Sequence, residues 1–111
     1  MTRVLLIDND DAHAGEVSAA FARRGLTTIR VSNHVEAINK GLLSAHVCEI
    51  VVLVMTDLSH PWLTILSSLQ DATQQGSFME LPLFLCVSKR ELAADFQLRI
   101  ERMGARYACE E

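Results

Sequence analysis

The chain has 111 residues, of which 50% are apolar, 22% charged and 5% aromatic, and its formal charge is −4. These figures fit one folded domain over residues 1–111 and exclude collagen-like and disordered chains. The acidic balance, 14 Asp and Glu against 10 Lys and Arg, argues against a nucleic-acid partner, and so does the scarcity of stacking aromatics.

Five short aliphatic runs punctuate the sequence. The first, Arg3–Ile7, predicts a strand, and the chain then enters a helix from about Asp11 to Arg24. Ala14, Val17, Ala20 and Phe21 share one face of that helix, Asp10 and Asp11 suit its N-terminal dipole, and Gly25 suits its C′ position. A second strand over Thr27–Val31 precedes a helix from His34 to about Leu43, with Ser32 or Asn33 as its cap and Ala37, Ile38 and Leu42 facing inward. The third strand, Glu49–Met55, leads to a helix that opens at Pro61, buries Leu63, Leu66 and Leu69, and stops before the polar Gln74–Ser77 loop. Leu83–Val87 is the fourth strand. The fourth helix, from about Glu91 to Met103, carries a stripe of Leu92, Phe96, Ile100 and Met103, and Ala105–Cys109 is the fifth strand. Near-continuous apolar strands are covered on both faces, so this βαβαβαβαβ alternation predicts an open, doubly wound α/β fold with a parallel sheet. In that architecture ligands and chemistry gather beyond the carboxyl ends of the strands.

The first strand ends in Asp8-Asn9-Asp10-Asp11. Such acids can hold a hard cation such as Mg²⁺ through Asp8 and Asp10, or simply cap the following helix. Arg3–Asp10 resembles the opening of response-regulator receiver domains, where a hydrophobic strand ends in an acidic pair. Arg24-Gly25-Leu26 and Ser32–Ala37 resemble the family's second strand and second helix. Glu49–Leu53 resembles its third strand, Leu81–Leu85 its fourth, and Gly104-Ala105 the approach to its fifth. The resemblance spans nearly the whole chain. It implies a flavodoxin-like, CheY-like five-stranded parallel sheet in the order 2-1-3-4-5, with the family's fifth helix missing.

The resemblance also implies a phosphoryl-accepting aspartate, acids for Mg²⁺, a hydroxyl and a lysine. Carried over by position, most of that set is absent. Asp8 matches the first acid of the pair and Asn9 the second, unless Asp10 substitutes. The acceptor position is Val54, which has no nucleophilic oxygen. The hydroxyl position is Val87, beside Ser88, and the lysine position falls near Cys109 or Glu110. Three essential positions fail by residue type, which implies a degenerate pseudo-receiver with no phosphotransfer at the usual site. Asp57, three residues past Val54, is the candidate displaced acceptor. Lys89 either enters the crevice or remains a solvated loop charge.

Other residues add little chemistry. His13, His34, His46 and His60 show no spacing with cysteine that suggests zinc. Trp62 either anchors a partner or covers the helix–sheet edge. No complete catalytic set can be drawn, so an enzyme is not expected. The apolar stretch Ile50–Thr56 is far too short to span a bilayer, and the N-terminus does not resemble a signal peptide. Cys48, Cys86 and Cys109 read as reduced thiols of a cytoplasmic protein.

The expected function is therefore a phosphorylation-independent signalling domain of two-component type that acts through protein contact. The resemblance places that contact on the fourth helix and fifth strand, at Asp95, Arg99, Arg102 and Tyr107. The alternatives are a small-ligand or divalent-metal sensor using the Asp8–Asp11 crevice, or a flavodoxin-like accessory domain of a larger protein. With the fifth helix missing, only the first helix covers one sheet face. A homodimer, another protein or a further segment is expected to cover the remainder.

Overall fold

The computed structural model of the chain describes residues 2–44, 47–56, 60–74 and 82–110. The aliphatic runs form β1 (Arg3–Ile7), β2 (Thr27–Val31), β3 (Ile50–Met55), β4 (Leu83–Ser88) and β5 (Arg106–Cys109). Branched side chains pack well on a pleated surface, so these segments settle as strands. The amphipathic stretches between them form α1 (Asp11–Arg23), α2 (His34–Asn39), α3 (Trp62–Gln74) and α4 (Ala94–Arg102). The strands pair in parallel in the order β2-β1-β3-β4-β5. This is the expected doubly wound sheet. Among the described residues no helix follows β5.

Alternation along the strands divides the core in two. Leu5, Ile7, Val51, Leu53 and Met55 share one cluster with Trp62, Ile65, Leu66 and Leu69 of α3, Ala37 of α2 and Ile100 of α4. Val4, Leu6, Val52 and Val54 belong to a second cluster, which α1 joins through Ala14, Val17 and Phe21. Leu85 and Val87 of β4 are only partly buried against that second cluster.

Two glycines set where the chain turns. Gly25 follows α1 at φ +79°, with the Leu26 N–H donating to the Phe21 carbonyl and the Gly25 N–H to that of Ala22. That pair of bonds is a Schellman motif, and it directs the chain into β2. Gly41, at φ +66°, stops α2 the same way through Leu42 N–H to Ala37 O and Gly41 N–H to Ile38 O. The second helix is therefore six residues long and ends at Asn39, short of Leu43. The Gly41 stop outweighs the apolar pattern that continues beyond it. Of the side chains expected to face inward, Ala37 is buried and Leu42 half-buried, whereas Ile38 is exposed.

The fourth helix also begins later than its apolar stripe suggests. Residues 91–93 are not helical, and Ala93 at the N-cap has no side chain to accept an orphan N–H. Leu92 is nonetheless buried, with its N–H donating to the Tyr107 hydroxyl at 3.1 Å.

Candidate functional site

The sheet order brings the ends of β1, β3, β4 and β5 together, and with them the expected pocket positions Asp8, Asn9, Val54, Val87 and Glu110; the remaining candidate is Asp57. That residue lies outside the described residues. Val54 is opposite Val87 in the β3–β4 register, and Ser88 is opposite Cys109 in the β4–β5 register. Val54 is buried and Val87 half-buried. Both line one apolar groove with Val52 and Leu85 of the sheet, Phe21 of α1 and Glu110. The acceptor and hydroxyl positions therefore contribute hydrocarbon, which offers no oxygen to a phosphoryl group.

The acids after β1 are each engaged. Asp8 is 1% exposed, and one of its oxygens accepts the Asp10 N–H at 3.0 Å. The other accepts a short hydrogen bond from His13 Nδ1. Asp10 is the N-cap of α1, where its carboxylate accepts the His13 N–H at 3.1 Å. This bond to the charged form holds its carboxyl below the usual range; desolvation opposes the shift and the nearby Lys89 charge favours it. Asp11 pairs with Arg30 of β2 at 2.7 Å, and the same guanidinium donates to the Asp8 carbonyl at 2.7 and 3.0 Å. Lys89 reaches only to 3.8 Å from Asp10 and is half-exposed, so it is a loosely held charge at the rim.

His13 and Arg30 are the residues that sequence reasoning missed. His13 sits in the first turn of α1 because Asp10 caps that helix, and its ring points back over the end of β1. Its Nε2 donates to Glu110 at 2.7 Å. A carboxylate therefore faces each ring nitrogen, and only the imidazolium can donate from both. Burial opposes the charge, but the hydrogen bonds to Asp8 and Glu110 outweigh it and raise the His13 pKa above its ordinary 6.5. The five-residue spacing from Asp8 was a local signal. Nothing local announced Glu110, which lies 97 positions away.

Glu110 is one of the two positions, with Cys109, where the resemblance implies a lysine; a carboxylate there carries the opposite charge, and the cation it meets is His13. Asn9 is turned aside, its side-chain oxygen accepting the Thr56 hydroxyl at 3.0 Å. Mg²⁺ does not fit these residues. One Asp8 oxygen would have to give up His13, Val54 has no oxygen to offer, and Glu110 is held by the same imidazole. Among the described residues no group of three or more His, Cys, Asp or Glu is arranged to hold a metal ion.

The fourth-helix residues Asp95, Arg99 and Arg102 are exposed, with Leu98 of the same helix exposed among them. Tyr107 is different. It is half-buried, and its hydroxyl binds Ser88 Oγ at 2.6 Å while accepting the Leu92 N–H. Ser88 in turn donates to the Arg90 carbonyl at 2.6 Å, so the hydroxyl nearest the degenerate position is committed to holding the β4–α4 loop. Trp62 is 9% exposed and stacks on His60 with ring centroids 5.3 Å apart. It covers the helix–sheet edge. Cys48, Cys86 and Cys109 are free thiols, and burial pushes the Cys86 thiol up to about 12. No helix among the described residues is long and apolar enough to cross a membrane.

No protein-family model matches the sequence, and no curated protein matches it. Solved structures do match the fold. A two-component response regulator from Clostridium difficile aligns at TM-score 0.76 and 15% identity, over 99% of this chain and 84% of that one. A response regulator from Burkholderia pseudomallei, which carries a phosphorylated aspartic acid, aligns at TM-score 0.75 and 18% identity, over 99% of this chain and 60% of that one. The Vibrio cholerae chemotaxis protein CheY4 aligns at TM-score 0.74 and 13% identity, over 99% and 87% of the two chains. In strand order and in the placement of α1 to α4, this chain has the CheY-like fold of response-regulator receiver domains.

Proposed function

We propose that this chain is a receiver-like, cytoplasmic signalling domain that works through protein contact and without phosphorylation. One observation carries the reading. His13 bridges Asp8 to Glu110 across the pocket in which receivers handle phosphate, while Val54 and Val87 fill the acceptor and hydroxyl positions. The pocket's charges satisfy one another, so no site is left for an incoming dianion and its metal. With no nucleophile at the acceptor position, the domain is not an enzyme and takes no cofactor.

Contact is assigned to two surfaces. The first is the charged face of α4 formed by Asp95, Arg99 and Arg102, with Leu98 exposed among them. The second is the apolar groove between α1 and the β3–β4 strands, about 270 Å³, lined by Val17, Ala20, Phe21, Val87 and neighbours. An uncovered apolar groove beside a sheet marks an interface with another protein or a second copy of the chain. The test is an NMR titration with beryllofluoride and Mg²⁺. The spectrum is expected to stay unshifted, and saturable shifts around Asp8, Asp57 and Lys89 would overturn the reading.

A further inference from the structure

A second cavity lies on the opposite side of Val54. It opens between the carboxyl ends of β1 and β3 and the starts of α2 and α3, with a volume of about 190 Å³. Ile7, Leu53, Val54 and Ile65 give it an apolar lining, and Trp62 and His60 form one wall. Asn9 and Asn33 lie at its polar rim. We infer that this cavity binds a monocyclic aromatic molecule carrying one hydrogen-bond acceptor, such as an aryl ketone.

Position, size and chemistry converge on that ligand. The carboxyl edge of a doubly wound sheet is where the connecting loops diverge and leave room for small molecules. A dry apolar cavity of about 150 Å³ is enough to admit benzene. The space here therefore takes one substituted ring and is too small for a nucleotide. Ile7, Leu53 and Ile65, the cavity-side residues of the first core cluster, leave its floor uncharged, as an apolar guest requires. The Trp62 and His60 rings are stacked with 22° between their planes, and such a pair presents faces and edges against which a third ring can pack.

The rim selects the substituent. The Asn9 side-chain oxygen already accepts the Thr56 hydroxyl. That of Asn33 already accepts the Glu36 N–H, as the cap of α2. Each of those oxygens already has a partner, whereas neither N–H₂ group has one among the described residues, so the rim's unused capacity is two donors, which suit an acceptor. This site shares only Asn9 and Val54 with the His13 pocket, and its occupancy does not depend on whether the chain is phosphorylated.

Trp62 is the only tryptophan in the chain, so its indole N–H is a single, assignable NMR reporter. Acetophenone is expected to shift that signal saturably, together with the backbone signals of Leu53, Val54 and Asn33. Cyclohexyl methyl ketone, which keeps the carbonyl and a six-membered ring but loses the aromatic faces, is expected to bind more weakly. Asn33→Asp keeps the capping oxygen and removes the donors, because Asp caps a helix as well as Asn. It should weaken acetophenone by about tenfold. Ile65→Phe, which adds hydrocarbon on the cavity side of the sheet and leaves the rim intact, should weaken it as well. The proposal is overturned if the indole signal does not move or if the two ketones bind equally. It is equally overturned if both variants bind as the parent does, or if the shifts map to Phe21 and Val87 instead.

Discussion

The chemistry of this molecule turns on a few side chains whose partners are far apart in sequence. His13 holds two carboxylates, and its raised pKa makes stability depend on pH with a definite sign. The folded state binds this proton more tightly than the unfolded chain. Its contribution is therefore complete below the ordinary value of 6.5 and is lost as pH rises through the raised one. Urea unfolding should show stability falling across that window, and His13→Gln should remove that component of the slope. His13→Ala leaves the buried Asp8 without its cation and is expected to cost about 3 kcal/mol at neutral pH. Val54→Asp places an acid where the resemblance puts the acceptor, yet neither Cys109 nor Glu110 offers a lysine. Acetyl phosphate should therefore leave the mass of that variant unchanged, and a phosphoryl adduct would show that the rest of the pocket remains competent. Of the candidate site, Asp8, Val54 and Val87 were legible because each follows directly from counting along a strand. The roles of His13 and Arg30 were not: the spacing of His13 from Asp8 was a local signal for only one of its two partners, and Arg30 carries no local pattern.

At the scale of elements, every strand and helix was legible in the alternation of aliphatic runs and amphipathic stretches. Boundaries failed where a local signal opposed the apolar pattern. The stripe through Ile38 and Leu42 pointed to a longer second helix, but Gly41 at φ +66° ends it at Asn39. In the same way Leu92 belongs to the apolar stripe of α4 without being helical, because Tyr107 binds its N–H from β5. Gly25 can be tested directly. Its left-handed conformation costs an alanine about 1–2 kcal/mol, and open space around it leaves no clash to confuse the result. Gly25→Ala should therefore lower the unfolding free energy by that amount in denaturant melts, with the pH slope due to His13 unchanged.

At the scale of the molecule, among the described residues one sheet face meets α2, α3 and α4 and the other is joined only by α1. The groove that remains predicts association. Light scattering should return twice the 12.3 kDa mass of the chain if a second copy fills it. Ala20→Glu, a charge placed in the groove on a good helix former, should then return the monomer. By itself the sequence determined the βα alternation, the parallel sheet and the hydrocarbon side chains at positions 54 and 87. Each of these follows from residue type at a countable position. Only the tertiary structure decided which side chains meet at the carboxyl ends of the strands. Laying β5 beside β4, and β3 beside β1, brings Glu110 within 2.7 Å of His13 in the first turn of α1. Contacts of that range are set by the order of strands in the sheet, and local patterning carries no record of them.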